Sequence, residues 1–262
     1  MNDAKPDVAV AAATVVLLRE SGGGVELLLV ERAAATAFAG GAMVFPGGRV
    51  EPGDYEVATD PALAHGFAGL SRADGAARVA AARETFEEAD VLLSDGEPLP
   101  ALVRRNWRER LNADTASYAD FLRAVGHTLG AARLVPFAHW VPPAAARIAR
   151  RFDTLFYLAV LPAGETVTPD GHEAVAAHWL HAADAVARAD RGEIALVFPT
   201  RRNLERLAQY ATLAELLART AALPLTLIQP TLVDRDGAMW ITIPAGCDYP
   251  VTEEALATVR RE

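Results

Sequence analysis

Three glutamates lie at a spacing that an α-helix would gather on one side. They are Glu84, Glu87 and Glu88. A helix turns about 100° per residue, so these carboxylates fall within roughly 100° of one another. Carboxylate oxygens are the ligands that Mg²⁺ prefers, and an acidic stripe of this kind favours a divalent cation site. An isolated acidic run also fits a solvated helix face, so the surrounding sequence decides between the two interpretations.

The opposite side of the same helix is apolar. Five residues fall between roughly 140° and 220° when Glu84 is taken as zero, and they are Val79, Ala82, Phe86, Ala89 and Leu93. An amphipathic helix packs by its apolar side. We therefore expect packing to hold the three glutamates together despite their mutual repulsion. Ser71 and Asp74 precede this stretch at the spacing of a capping box.

A glycine-rich turn and a single acid precede the helix. The turn is Phe45-Pro46-Gly47-Gly48, and Asp54 follows it. Together with the run from Arg83 to Glu88, these residues resemble the box of the Nudix hydrolases, GX5EX7REUXEEXGU, in which U is aliphatic. Gly48 matches the first glycine, and Asp54 stands at the first glutamate.

The box departs from that pattern at three points. Asp54 replaces a glutamate, 28 residues instead of seven separate it from Arg83, and Thr85 and Asp90 replace an aliphatic residue and the closing glycine. Closing a longer loop costs free energy only logarithmically in its length. The insertion also leaves the helical spacing of the carboxylates intact, so we interpret the box as modified rather than broken.

The resemblance implies a metal centre that hydrolyses a diphosphate. By analogy with the family, the ligands would be Glu84, Glu87, Glu88 and the backbone carbonyl of Gly47, and the ion Mg²⁺ or Mn²⁺. Glu84 would be a ligand or the catalytic base.

Residues beside the carboxylates would orient them, and a second candidate for the catalytic base lies outside the box. Arg83 lies beside the acidic stripe, where a charge-assisted contact would orient a carboxylate, and Gly48 and Asp54 would support the turn. Family members often recruit a glutamate from elsewhere in the chain, and Glu173 is our candidate. Glu165 and Asp170 compete with it.

A second pattern suggests the substrate. One Nudix branch that cleaves coenzyme A and acyl-CoA carries an upstream pattern close to LLTXR(S/A)X3RX3GX3FPGG. The chain matches it at Leu28, Leu29, Arg32, Ala33, Gly41, Phe45, Pro46, Gly47 and Gly48. Val30 replaces the threonine and Ala37 replaces the second arginine, which removes a bidentate donor. Arg32 and Phe45 are thus the candidate substrate-binding residues.

Several functions stay open on the sequence alone. Coenzyme A or acyl-CoA is the leading candidate substrate. ADP-ribose, a dinucleotide or a nucleotide sugar is the alternative. A non-catalytic Nudix-fold binding module is an alternative of another class, motivated by Asp54 and Asp90.

The pattern of elements fits an α/β (α+β) Nudix fold, with a mixed central sheet between helices. We expect one elaborated domain over 1–262, with its core at about 10–95 and 133–215. A helical insert would span about 98–132, and a C-terminal β extension about 221–262. Apolar runs predict strands at 14–19, 25–31 and 154–161. The stretch 53–73 is interpreted as mostly loop, and 203–220 as one helix.

Composition limits the classes of partner that the chain is expected to bind. The net charge is −9, and the absence of a dense Lys/Arg run argues against a nucleic-acid surface. No apolar stretch is long enough to span a membrane. The single cysteine, Cys247, favours a reducing compartment, so we predict a cytoplasmic protein that acts on a small nucleoside diphosphate derivative. Nudix relatives commonly pair, which makes a homodimer an expectation of the resemblance.

Overall fold

A computed structural model describes residues 9–34, 39–143 and 151–259. Position 37, where the substrate pattern has its second arginine, lies outside them. The strands are β1 (Val10–Ser21), β2 (Gly24–Arg32), β3 (Met43–Val44), β4 (Gly47–Arg49), β5 (Ala64–His65), β6 (Leu129–Gly130), β7 (Val135–Trp140), β8 (Phe152–Val160), β9 (Ala174–His181), β10 (Leu227–Ile228), β11 (Thr231–Arg235), β12 (Ala238–Thr242) and β13 (Glu253–Ala255).

The helices surround these strands. They are α1 (Pro52–Thr59), α2 (Arg72–Ala89), α3 (Ala101–Asn112), α4 (Tyr118–Val125), α5 (Ala182–Asp190), α6 (Phe198–Leu207) and α7 (Leu213–Ala222). Helix α2 begins after Ser71, whose hydroxyl accepts a hydrogen bond from the Asp74 backbone N–H at 3.1 Å. This is one of the two contacts of the predicted capping box, since the Asp74 carboxylate accepts from Arg78 and Tyr157 instead.

The central sheet contains parallel and antiparallel pairs. Its main path runs β10-β7-β8-β1-β2-β3, with β4 paired to β1 and β9 paired to β2. Strand β8 is parallel to β1, whereas β2 and β4 are antiparallel to it. Strands β11, β12 and β13 form a separate antiparallel sheet near the C-terminus.

Strand β1 pairs with two different strands along one of its edges. Residues 12–14 pair with β4, and residues 18–21 pair with β2. Since β4 begins with the two glycines of the turn, this pairing fixes the turn against β1.

The sheet buries both of its faces. Val15 and Leu17 of β1 pack on the side of α2, α3 and α4, whereas Val16 and Leu18 pack on the side of α5, α6 and α7. Successive side chains of a strand point to opposite faces, which explains the alternation. The predicted fold class, a mixed sheet between helices, is confirmed.

Two expectations about local structure are wrong. Residues 52–59, assigned to loop, form α1, because Pro52 occupies a favourable first position and Glu51 and Asp54 form a reciprocal capping box. Residues 203–220, assigned to one helix, divide between α6 and α7. The second helix has its own N-cap, where Thr212 accepts a hydrogen bond from the Glu215 N–H at 3.2 Å.

In the described part of the chain, no helix is both long enough and apolar enough to cross a membrane.

Candidate active site

Helix α2 presents its glutamates to a cavity. Its apolar side, including Val79 and Phe86, is fully buried. The side chains of Glu84 and Glu87 are each 15% exposed, and that of Glu88 is 6% exposed. All three line a cavity of about 1110 Å³. The acidic stripe is therefore not a solvated helix face.

The two replaced positions within and after the acidic run, Thr85 and Asp90, keep local partners. The Thr85 hydroxyl donates to the Ala81 carbonyl at 2.7 Å inside the buried helix. Asp90 adopts the left-handed conformation at the helix C-cap, with φ of 56°. Glycine favours that conformation and aspartate tolerates it. Arg104 Nε donates to the Asp90 carboxylate at 3.1 Å.

Arg83 connects the carboxylates. Its Nε donates to Asp54 Oδ1 at 3.0 Å, and its Nη2 donates to Asp54 Oδ2 at 3.1 Å and to the Arg49 carbonyl at 2.9 Å. Its Nη1 donates to Glu84 and Glu87, each at 2.9 Å. All five guanidinium N–H donors are thus engaged. Asp54 meets Arg83 despite the 28 intervening residues, and Arg83 orients three carboxylates where we expected one.

The glycine turn contacts Glu88 and also Glu84. The Gly47 N–H donates to Glu88 Oε2 at 3.0 Å. A Cβ added to Gly48 would lie 2.5 Å from Glu84 Cδ, and a Cβ added to Gly47 would lie 2.7 Å from Thr14 Cα. Only residues without a side chain allow this approach of turn, strand and helix.

Replacing Gly48 with alanine should displace Glu84. A misplacement of about 1 Å in a catalytic group can cost about 100-fold in rate, so we expect a loss of that order in kcat/KM. Steady-state kinetics on the best substrate measures it. The matched control is Gly53→Ala, because Gly53 lines the same cavity and an added Cβ there meets nothing within 4 Å. Equal activity of the two variants would contradict the proposed importance of this approach.

The carboxylates carry more negative charge than the neighbouring arginines neutralise. Burial is the largest cause that raises the pKa of Glu84 and, more strongly, of Glu88. It also raises the pKa of Glu87 to about 8 against the attraction of Arg83, and Glu84 adds to the rise. The pKa of Asp54 is raised by burial as well. Buried carboxylates in excess of their cationic partners favour an added cation.

The donor set fits a hard divalent cation. Carboxylate oxygens and a backbone carbonyl are the ligand types that Mg²⁺ and Mn²⁺ take. Within the described residues, no three His, Cys, Asp or Glu side chains already converge as a metal cluster. Here Glu84 and Glu87 point to Arg83, and Glu88 points to Gly47. Each of these hydrogen bonds uses one carboxylate oxygen, which leaves the other oxygen of each glutamate as a candidate ligand.

The pKa of Glu87 predicts a pH dependence of stability in the metal-free protein. The folded state holds this proton up to about pH 8, whereas the unfolded chain releases it near its ordinary value of 4.5. The folded state binds more protons in that window, so the free energy of unfolding should fall as the pH rises through it. Thermal melts in a chelator across the window measure the slope. Glu87→Gln should reduce the slope, to which Glu84, Glu88 and Asp54 still contribute, and an unchanged slope would contradict this assignment.

Arg32 and Glu173 face the carboxylates across the cavity. Arg32 Nη1 lies 3.8 Å from Glu88 Oε1, and Arg32 Nη2 lies 3.7 Å from Glu173 Oε2. The Arg32 Nε has no partner among the described residues. The Glu173 side chain is 65% exposed and lines the cavity. Phe45 also lines the cavity, although its ring is almost fully buried in the core.

The two competitors of Glu173 have structural partners. Glu165 accepts hydrogen bonds from Arg104 at 2.7 and 2.8 Å and from the Leu92 N–H at 2.9 Å. Asp170 accepts from the backbone N–H groups of residues 173 and 174, at 3.0 and 2.7 Å. Asp170 thereby fixes the loop that carries Glu173, which remains our candidate base outside the box.

Sequence reasoning missed Tyr118 at this site. Tyr118 begins α4, lines the cavity, is 4% exposed, and its hydroxyl has no partner among the described residues. Its helical spacing indicated only core packing. An unpartnered buried hydroxyl beside Glu87 would become visible only in three dimensions.

The fold has a close counterpart among solved structures. A crystal structure of a Nudix hydrolase from Alicyclobacillus acidocaldarius superposes with a TM-score of 0.70 at 27% sequence identity. The superposition covers 85% of this chain and 100% of that chain. Together with the carboxylate helix and glycine turn, it defines a Nudix protein.

A narrower family follows from sequence comparison. The family model of the NUDT19 Nudix domain matches residues 69–207, so the chain belongs to that family. The chain is 30% identical over 234 residues to acyl-coenzyme A diphosphatase NUDT19 of Gallus gallus, covering 71% of this chain and 62% of that protein. It is 34% identical over 161 residues to the Homo sapiens protein of that name, covering 55% and 42%. The chain thus spans less than two thirds of the length of either relative. The family match confirms the predicted family.

Proposed function

We propose that the chain is a Mg²⁺- or Mn²⁺-dependent diphosphatase acting on coenzyme A and acyl-CoA. The observation that carries the proposal is the buried network in which Arg83 joins three acidic residues beside the glycine turn. Relatives named acyl-coenzyme A diphosphatase support the choice of substrate. Hydrolysis of coenzyme A would consume one water and release 3′-phosphoadenosine 5′-phosphate and phosphopantetheine.

Each group in the cavity has a defined task in this proposal. Glu84, Glu87, Glu88 and the Gly47 carbonyl would hold the cation. When bound, the ion supplies charge neutralisation at the diphosphate and a more acidic water. Glu84 or Glu173 accepts the proton of the attacking water.

Arg32 and Arg83 act on the charges around the reacting group. Arg32 lines the cavity, its Nη atoms lie no closer than 3.7 Å to Glu88 and Glu173, and it donates to a phosphate oxygen. Arg83 keeps the carboxylates in place throughout and has no donor left for substrate.

The competing functions predict different products. A panel of coenzyme A, acyl-CoA, ADP-ribose, a dinucleotide and a nucleotide sugar, each with Mg²⁺ and Mn²⁺, separates them by chromatography of the products. We expect coenzyme A derivatives to be cleaved with the highest kcat/KM. Cleavage of ADP-ribose without action on any coenzyme A derivative would reject the substrate assignment.

The binding-module alternative has its own test. Asp54 and Asp90 motivated it, yet Asp54 keeps both contacts with Arg83 and Asp90 keeps the conformation of the glycine it replaces. Glu87→Gln should lower hydrolysis of every accepted substrate. If hydrolysis persists in that variant, it belongs to a contaminant or to another site, and a binding role is favoured.

Three earlier expectations stay predictions. They are the division into one elaborated domain with an insert and an extension, the homodimer, and the cytoplasmic location.

A further inference from the structure

The cavity has two chemically distinct parts. Its charged residues come from the Arg32 end of β2, from β4, α1 and α2, and from the loops around positions 114 and 170. Its described lining residues in 140–156, 197–200 and 230–259 carry no charged side chain. We call the second part the apolar wall, and its residues used below are Trp140, Phe156, Phe198, Leu232, Ile241 and Leu256. Five of these six residues belong to one hydrophobic cluster, so a ligand that fills the cavity needs an apolar portion as well as a charged one.

The C-terminal sheet supplies Leu232 and Ile241 of the apolar wall, and Leu256 directly follows its last strand. Leu232 of β11 pairs directly with Ile241 of β12, so both side chains lie on one face of this sheet, and that face lines the cavity. The next pair, Val233 and Trp240, lies on the opposite face, outside the cavity lining. This segment follows residue 207, where the family match ends.

Buried hydrogen bonds fix the sheet against α6 and β7. The Trp140 Nε1–H donates to the Tyr249 hydroxyl at 3.1 Å, and that hydroxyl donates to Asn203 Oδ1 at 2.7 Å. Arg202, 2% exposed, donates to Glu254 at 3.1 Å. The apolar wall is consequently preorganised rather than a loose covering.

We propose that the apolar wall binds the acyl chain of an acyl-CoA thioester, so that the C-terminal sheet determines a preference for acylated over free coenzyme A. The inference rests on the proposed function. An acyl-CoA carries both phosphates and a hydrocarbon chain, which matches a cavity lined by a charged set and an apolar set of residues. A volume of about 1110 Å³ also exceeds what a nucleotide alone requires.

The first test measures how kcat/KM depends on acyl-chain length. Each methylene buried in an apolar site improves binding by up to roughly fourfold. The wild type should therefore cleave octanoyl-CoA and decanoyl-CoA with a higher kcat/KM than free coenzyme A. No increase with chain length would overturn the proposal, while cleavage of free coenzyme A would leave the proposed function standing.

Two neighbouring residues give a matched pair of variants. Leu232 and Val233 are 36% and 37% exposed on the same strand, but only Leu232 lines the cavity. Leu232→Gln should lower the ratio of kcat/KM for decanoyl-CoA over coenzyme A by about tenfold, equivalent to losing one or two buried methylenes. Val233→Gln should leave the ratio unchanged. Equal ratios in the two variants would overturn the proposal.

Binding provides an independent readout. If neither coenzyme A nor any acyl-CoA is hydrolysed, the proposed function fails. Calorimetric Kd values for decanoyl-CoA and coenzyme A then test separately whether the apolar wall binds the acyl chain. If the wild type binds decanoyl-CoA more tightly than coenzyme A, and Leu232→Gln weakens that binding, the role of the apolar wall is supported. Equal affinities for the two compounds in the wild type would overturn the proposal.

Discussion

Replacing Glu88 with glutamine should reduce kcat/KM by at least about 100-fold, because even outer-shell partners of a metal site contribute 10–100-fold. Glu88 is buried, and Gly47 holds it beside the turn. Glutamine keeps the shape and an oxygen that can accept the Gly47 N–H, so the change removes mainly the negative charge. Product formation from coenzyme A at several Mg²⁺ concentrations measures the loss.

Glu26→Gln is the control for this variant. The Glu26 side chain is also largely buried, 18% exposed, and paired with an arginine, Arg19, but it does not line the cavity. Its variant should keep wild-type kinetics. Wild-type activity in Glu88→Gln would remove Glu88 from the proposed metal site.

Replacing Arg83 with methionine should lower the free energy of unfolding by roughly 3–5 kcal/mol, the usual cost of breaking a buried ion pair from one side. Arg83 is 7% exposed and neutralises Asp54, Glu84 and Glu87. Without it, these three buried acidic side chains lose their shared hydrogen-bond donor and their compensating positive charge. Urea denaturation near neutral pH in a chelator measures the change.

Arg49→Met is the matched control. Arg49 lines the same cavity, but its side chain is 57% exposed and its nearest acidic partner, Glu51, lies 4.0 Å away. A surface substitution of this kind changes stability by about 0.5 kcal/mol or less. If Arg83→Met were as stable as Arg49→Met, the network would not contribute to the fold.

Local spacing made the centre of the site predictable. Glu84, Glu87 and Glu88 belong to one helix, and helical geometry alone places them together. Strands β1, β2 and β8 likewise have apolar patterns that identify them in sequence. The glycine turn needed the family resemblance to connect it with the helix.

Other parts of the structure depend on long-range contacts. Helix α1 has only Asp54 and Val57 buried, so its sequence lacks an apolar stripe. Strand β7 contains Pro136, which disfavours a strand interior, and a bulge accommodates it. The meeting of Leu232 with Phe198 in one cavity joins segments that share no local pattern.

The most direct test of the metal centre is anomalous scattering from crystals grown with Mn²⁺. We predict a peak among the carboxylates of Glu84, Glu87 and Glu88, within coordination distance of the Gly47 carbonyl. A peak elsewhere, or none here at a Mn²⁺ concentration that supports activity, would contradict the account.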